Sequence, residues 1–235
     1  MHTISLAQLA GLLFPAVLMV GLCARWGMPA GRSLAGLARM VGQLILVGYV
    51  LLAVLNPAQW YFGLLALLVM SFASGWIALG ATGAHRRVLL PTALAAIVLG
   101  CGAILLWVWA ILLHDQPYAP RVIIPLASMA FSNAMNSLSL AAERYLSELR
   151  REAVDPHKIA FRAALIPISN SLLAVGLVSL PGMMTGQIIA GVSPLVAARY
   201  QITVMLMIFS ASALTVWLFL ARTHARRLVQ VDAPV

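Results

Sequence analysis

Apolar residues run through this chain in blocks of about twenty, separated by short clusters of charge, and about twenty is the length a helix needs to cross about 30 Å of hydrocarbon. Seven such blocks can be placed: Ile4 to Cys23, Met40 to Leu55, Trp60 to Leu79, Val88 to Leu112, Val122 to Leu140, Ala163 to Leu180 and Tyr200 to Ala221. The second is short, but Ser33 to Arg39 extends it as an amphipathic turn. Asn56-Pro57 closes it, because a residue before proline is pushed away from helical dihedrals. The fifth block meets no Gly or Pro on its polar side, so the pattern predicts one helix continuing out of the membrane to about Ala153. Asp155-Pro156 then predicts the cap and first position of the next helix. The expectation is an all-α, polytopic transmembrane protein of about seven spans, a single transmembrane domain over residues 1–235 with a cytoplasmic segment at about 141–161.

One stretch breaks this pattern: Gly176 to Gln201, GLVSLPGMMTGQIIAGVSPLVAARYQ. Pro181 lacks an N–H and stops a helix, Gly182, Gly186 and Gly191 permit unusual dihedrals or close approach, and Ser193-Pro194 predicts a new start. Unsatisfied backbone is too costly in hydrocarbon, so a break at this depth belongs inside protein or beside a watery cavity. Two readings stand: a gate or substrate path, and two short helices packed against the rest without a transport role.

Charge orients the chain. Thirteen of the 15 Lys and Arg fall on one side of the predicted spans, and only Arg121 and Arg199 fall on the other. The positive-inside rule therefore puts the N-terminus outside and the C-terminus in the cytoplasm. Trp60, Tyr61 and Tyr118 at the outer boundary, with Trp26 and Trp76 at the inner one, suit interfacial aromatic belts.

Composition agrees: of 235 residues, 63% are hydrophobic and 9% charged, and the mean hydropathy is +0.99, which excludes a soluble globular class. The net charge of +9 would suggest nucleic acid in a soluble protein; here the basic residues sit in short loops between apolar runs, so the expected partner is the lipid bilayer and not nucleic acid. The expected place is the cell inner (plasma) membrane. Ile4 to Val20 lacks the basic start and cleavage site of a signal peptide and is read as the first span. Cys23 and Cys101 predict neither a disulfide nor a metal site.

No ionisable residue falls inside the seven blocks, which argues against a buried proton relay or a carboxylate metal cage. Neutral polar residues do cluster. Ser128, Ser132, Asn136 and Ser139 share a helix stripe with Asn133 beside it, and Ser169, Asn170 and Ser171 follow Pro167, which deprives the Ala163 carbonyl of its donor. They line a path or bond helices together, the commoner role, worth about 0.6 kcal/mol each. Met183 and Met184, with Gln187 a turn beyond, offer soft thioethers for a metal such as Cu(I) or pliable packing at a moving joint. The metal question stays open. His85, His114, His157 and His224 are read as solvated. Lys158, the only lysine, has no glycine-rich P-loop before it, and no Gly-x-Ser-x-Gly or His-Glu-x-x-His motif occurs, so no catalytic residue and no intrinsic ATPase is expected.

RAALIP from Arg162 to Pro167, VGLVSLPGMMTGQIIAGVSP from Val175 to Pro194 and RYQI from Arg199 to Ile202 resemble the FetB/YbbM family of ABC transporter permeases. GQLILVGYVL from Gly42, VIIP from Val122 and SNAM from Ser132 match as well, so the resemblance covers most of the chain. It implies a homodimeric permease, bacterial iron export and metal homeostasis, plant relatives in aluminium tolerance, and a separate ABC ATPase subunit that carries ATP and Mg, leaving this chain without a cofactor. On that footing Glu143, Arg150, Arg151, Glu152, Asp155 and Arg162 couple to the ATPase; the bland alternative is a solvated helix face. Pro167, Pro181, Gly182, Gly186 and Gly191 form gates or helix breaks, and Asn133, Asn136, Asn170, Met183, Met184 and Gln187 meet substrate. One departure is expected to matter: the link Arg151 to Phe161 reads REAVDPHKIAF and lacks the Leu-Gly-Ala-Thr-like element that resembles other coupling segments. The competing function is an ATP-independent channel or facilitator for a small solute or ion.

Overall fold

The computed structural model describes residues 5–56, 60–112 and 120–223. Among them the backbone is helical almost throughout, in eight α-helices: α1 (Leu6–Arg25), α2 (Ala30–Val54), α3 (Trp60–Ala78), α4 (Arg86–Leu112), α5 (Pro120–Arg150), α6 (Pro156–Ala174), α7 (Gly182–Ile189) and α8 (Pro194–Arg222). Five of these, α1, α2, α3, α4 with the turn before it and α8, are long and apolar enough to cross a membrane. The protein is a polytopic helical membrane protein. Pro57 to Gln59, His114, Tyr118 and His224 lie outside the described residues.

The chain forms two compact units, Met1–Ala53 and Val54–Val235. In the first, α1 opens with a reciprocal cap: the Gln8 amide donates to Ser5 Oγ (3.2 Å) and the Ser5 amide donates to Gln8 Oε1 (2.9 Å). It closes at Gly27, whose φ of 85° lets the amides of Gly27 and Met28 turn back onto the carbonyls of Ala24 and Cys23. Apolar side chains on both helices stay exposed, Leu12 and Leu44 among them, as expected where the solvent is lipid. α2 starts at Ala30, three residues before the amphipathic extension from Ser33 that the pattern attaches to the second block. The residues from Ala30 to Arg39 contain no proline, and Pro29 supplies the starting carbonyl for Arg32 and Ser33.

The second unit is built on α5 and α8. Ala127, Ala130, Ala134, Ala141 and Ala142 of α5 are fully buried, and small side chains of this kind let helix backbones approach closely where no hydrophobic drive exists. The tightest approach joins α4 to α8. A Cβ added at Gly100 would fall on Thr215, within 2.9 Å of its backbone N and Cα, and Cys101 Sγ lies 3.7 Å from Thr215 Oγ1.

Two predicted boundaries need correction. α6 ends at Ala174 and not at Leu180: Gly176 takes φ 85°, and the amides of Val178 and Ser179 both turn back to the Ala174 carbonyl. α8 begins at Pro194, as the Ser193-Pro194 pair predicts, with the Val196 amide on Ser193 Oγ (3.4 Å), so the span placed from Tyr200 is the later part of a longer apolar helix that also contains Arg199. α5 does run on as one helix past Leu140, ending at Arg150.

Candidate functional site

The described cavities of the second unit fall at two levels along α5. At its start, a cavity of about 550 Å³ lies among the end of α4, the first turns of α5 and α8, and α7. Its walls are mostly apolar, from Leu112, Val122, Pro125, Leu126 and Val204, with Met129 and Met183 adding thioethers. Arg121 comes in from α5, Arg199, Tyr200 and Thr203 from α8, and Gln187 from α7. Thr203 Oγ1 donates to the Arg199 carbonyl (3.0 Å), and Gln187 Oε1 is enclosed without a hydrogen-bond partner. Met129 and Val204 lie about 14 to 15 Å along their helices from the first residue, so the cavity reaches some three turns into the helix bundle.

Roughly 30 Å further along α5 the surface is charged. A cleft of about 360 Å³ is lined by Glu143, Ser147 and Arg150 of α5 and Arg151 just beyond it, together with Ala81 and Thr82 from the turn between α3 and α4. Leu79 to Thr82 reads Leu-Gly-Ala-Thr. The tetrapeptide sought in the α5–α6 link is thus present elsewhere, in two tight 3-10 turns, Leu79–Ala81 and Gly83–His85, set against the end of α5. Below the exposed charges, Glu148 is only 5% exposed; Arg144 Nη2 lies 2.8 Å and Arg151 Nη1 3.8 Å from its Oε1. A buried carboxylate held between two guanidinium groups fixes the helix surface that carries Arg150 and Arg151. Sequence reading passed over Glu148, although Arg144 and Glu148 at i, i+4 were a usable signal.

A second cleft of about 520 Å³ brings His157, Lys158, Phe161 and Arg162 of α6 against Trp217 and Thr223 at the end of α8. It is tied to α5 by Tyr145, fully buried, whose hydroxyl donates to the Thr223 carbonyl (3.4 Å) and whose ring meets that of His157 at 4.6 Å between centroids. His157 Nε2 lies 3.3 Å from the same carbonyl. Burial pushes the Tyr145 phenol above its ordinary range, so it remains a neutral donor at physiological pH. One of the histidines read as solvated is corrected here: His85 is only 2% exposed, whereas His157 stays exposed while its ring packs on Tyr145. Asp155 sits where a cap was expected, but its carboxylate takes Lys158 Nζ (2.8 Å) rather than a helix amide. Arg86 anchors the α4 start, with its guanidinium 3.6 Å over the Trp76 ring and a bond to the Trp76 carbonyl.

The predicted path residues divide. Met183 and Gln187 line the arginine cavity, while Met184, Asn133, Asn136 and Asn170 do not. Asn133 Nδ2 donates to the Met129 carbonyl (2.9 Å), and Ser128, Ser132 and Ser171 donate to carbonyls of Pro125, Met129 and Pro167. These groups therefore bond within their own helices, and Asn136 and Asn170 are exposed. The predicted breaks divide too. Gly191 carries φ 92° and closes α7, with the amides of Gly191 and Val192 on the carbonyls of Ile188 and Gln187. Gly182 begins α7, with Pro181 as its cap residue, and Gly186 lies within it, both beside open space. Pro167 is inside α6. Glu152 and Asp155 stand exposed in the α5–α6 link. Among the described residues no cluster of three or more His, Cys, Asp or Glu converges.

Comparison with known proteins places this geometry. The family model described as "Uncharacterised protein family (UPF0014)" matches residues 4–157 and 150–228, two stretches that overlap in the α5–α6 link. The chain is 33% identical over 205 residues to the UPF0014 membrane protein slr1647 of Synechocystis, covering 79% of this chain and 78% of that one. It is 34% identical over 194 residues to the "Probable iron export permease protein FetB" of Escherichia coli (75% and 74% covered). It is 29% identical over 204 residues to the protein ALUMINUM SENSITIVE 3 of Arabidopsis thaliana (79% and 73% covered). No solved structure matches it.

Proposed function

The chain belongs to the UPF0014 family, and on that premise we propose that it is the membrane-spanning permease subunit of an ABC-type transporter, working as a homodimer with a separate ATPase subunit. ATP and Mg belong to the partner. The protein crosses the inner membrane about seven times, α5 and α6 adding to the five apolar spans, with the N-terminus outside. Iron export is the favoured cargo, supported by the printed name of the Escherichia coli relative.

The observation that carries this reading is the unbroken course of α5 from the arginine cavity to the charged cleft. A helix of 31 residues is about 46 Å long, enough to cross hydrocarbon and project beyond it. Force applied at Glu143 and Arg150 would reach Met129 and Arg121 along one helix, in which Pro125 leaves the Arg121 carbonyl without its helical donor, and α8, from Arg199 to Arg222, gives a second. The Leu79 to Thr82 turn and the Arg150 face make a composite surface for the ATPase, so a short α5–α6 link does not remove the means of coupling.

Reversing the charges, Arg150→Glu with Arg151→Glu, is expected to abolish nucleotide-dependent transport in proteoliposomes while leaving membrane assembly intact. Arg151 loses a weak contact to Glu148, so the single Arg150→Glu variant serves as the structurally milder test. Unchanged transport in both would remove the coupling role. Flux without ATP, insensitive to either change, would favour the channel reading.

A further inference from the structure

We propose that the arginine cavity binds an anion, a carboxylate or phosphate group carried on an apolar body, and does not hold a bare metal cation. Arg121 and Arg199 approach one mostly apolar volume from two different helices. Among the described residues neither guanidinium has a carboxylate partner, and no Asp or Glu lines the cavity. Both arginines are exposed, and two like charges beside one mostly apolar surface favour an anion between them. The planar guanidinium fork is the side-chain shape that pairs at two points with carboxylate or phosphate.

The helices reinforce the sign. α5 and α8 both begin at this cavity, and neither has an acidic residue in its first turn, so within those turns no acid opposes the positive ends of the two helix dipoles. The Tyr200 hydroxyl adds a donor to the wall, while the enclosed Gln187 Oε1 is an acceptor without a partner and would take a hydrogen bond only from a protonated group of the ligand. Leu126, Met129 and Met183 supply the surface against which an apolar body would rest. The volume of about 550 Å³ is that of a small-molecule pocket.

Among the described lining residues a bare ferrous ion would meet thioethers beside two positive charges and no carboxylate or imidazole, a poor donor set for it. A metal leaving by this route therefore travels as an anionic chelate. That link to transport rests on the permease reading; the binding itself does not.

The test is calorimetric titration of the full-length protein in phosphatidylcholine nanodiscs with phthalate, phenyl phosphate and ferrous ion, each alone. The two anions are expected to bind, and Arg121→Gln and Arg199→Gln each to weaken them about tenfold or more, with Arg→Lys variants at the same positions recovering part of the loss. Replacing phosphatidylcholine with phosphatidylglycerol separates the sources of such an anion. Displacement of phthalate, with fewer retained phosphatidylglycerol molecules by native mass spectrometry in the double variant, assigns the site to a lipid headgroup. Persistence assigns it to a soluble solute. Anion binding of equal strength in the wild type and a folded double variant overturns the proposal, and so does ferrous binding that Met183→Ala removes. Either failure leaves the ABC assignment standing, because assembly with an ATPase is read separately by co-purification.

Discussion

Glu152 holds φ 54°, the left-handed region that glycine occupies at the ends of α1 and α7. Its surroundings explain why: the amides of Glu152 and Ala153 close α5 by bonding the carbonyls of Leu149 and Glu148, the same double bond pattern that Gly27 and Gly191 make. A non-glycine residue in this conformation costs about 1–2 kcal/mol, partly offset by the greater freedom glycine gives the unfolded chain. Glu152→Gly should therefore stabilise the folded protein by about 0.5–1 kcal/mol, read as a higher thermal midpoint in detergent; a lower one would mean that the Glu152 side chain makes a contact that matters more. This residue was legible as charged and cytoplasmic but not as a helix terminus, because the usual marker, glycine, is absent. Ser193-Pro194 was legible, since both members favour a helix start and Ser193 does cap it. Asp155-Pro156 gave the start correctly and the side-chain role wrongly, because Lys158 competes for the carboxylate.

Helices that pack without hydrophobic drive depend on close approach, and α4 against α8 is the sharpest case. A methyl at Gly100 would meet the Thr215 backbone, which cannot rotate away, whereas one at Gly75 would meet Leu94 Cδ2 at 2.6 Å, the far end of a flexible side chain. Gly100→Ala should cost about 2–3 kcal/mol and Gly75→Ala less than about 1 kcal/mol, measured as thermal or denaturant stability in micelles. Equal effects would contradict this account of the α4–α8 contact. Neither glycine stood out in the sequence, where the glycines around the broken stretch drew the eye and only Gly176 and Gly191 carry unusual dihedrals. The same hydropathy bias extended α6 through Leu-Val-Ser-Leu, which is apolar enough to be helix but is turned at Gly176. It also stopped α8 short of Arg199, because a window of apolarity ends at a charge and a helix does not.

At the scale of the whole molecule, polytopic helical character was plain from block length and charge asymmetry, and membership of a permease family from Val175 to Pro194. What could not be read was convergence. Arg121 and Arg199 looked like two isolated outer charges, and the Leu-Gly-Ala-Thr turn looked absent, because pairing of distant positions is decided by which faces of α4, α5 and α8 pack. The structure places a basic, apolar-walled cavity and a charged cleft on the same long helix, and the account makes that helix the link between cargo and motor. The direct test is to purify the tagged protein from its native membranes in mild detergent and quantify each co-purifying polypeptide by mass spectrometry. The account predicts a P-loop ATPase recovered in equimolar amount with the permease, and lost when Arg150 and Arg151 are reversed to Glu. Recovery of a homo-oligomer alone, under conditions where a control ABC complex stays intact, would contradict it.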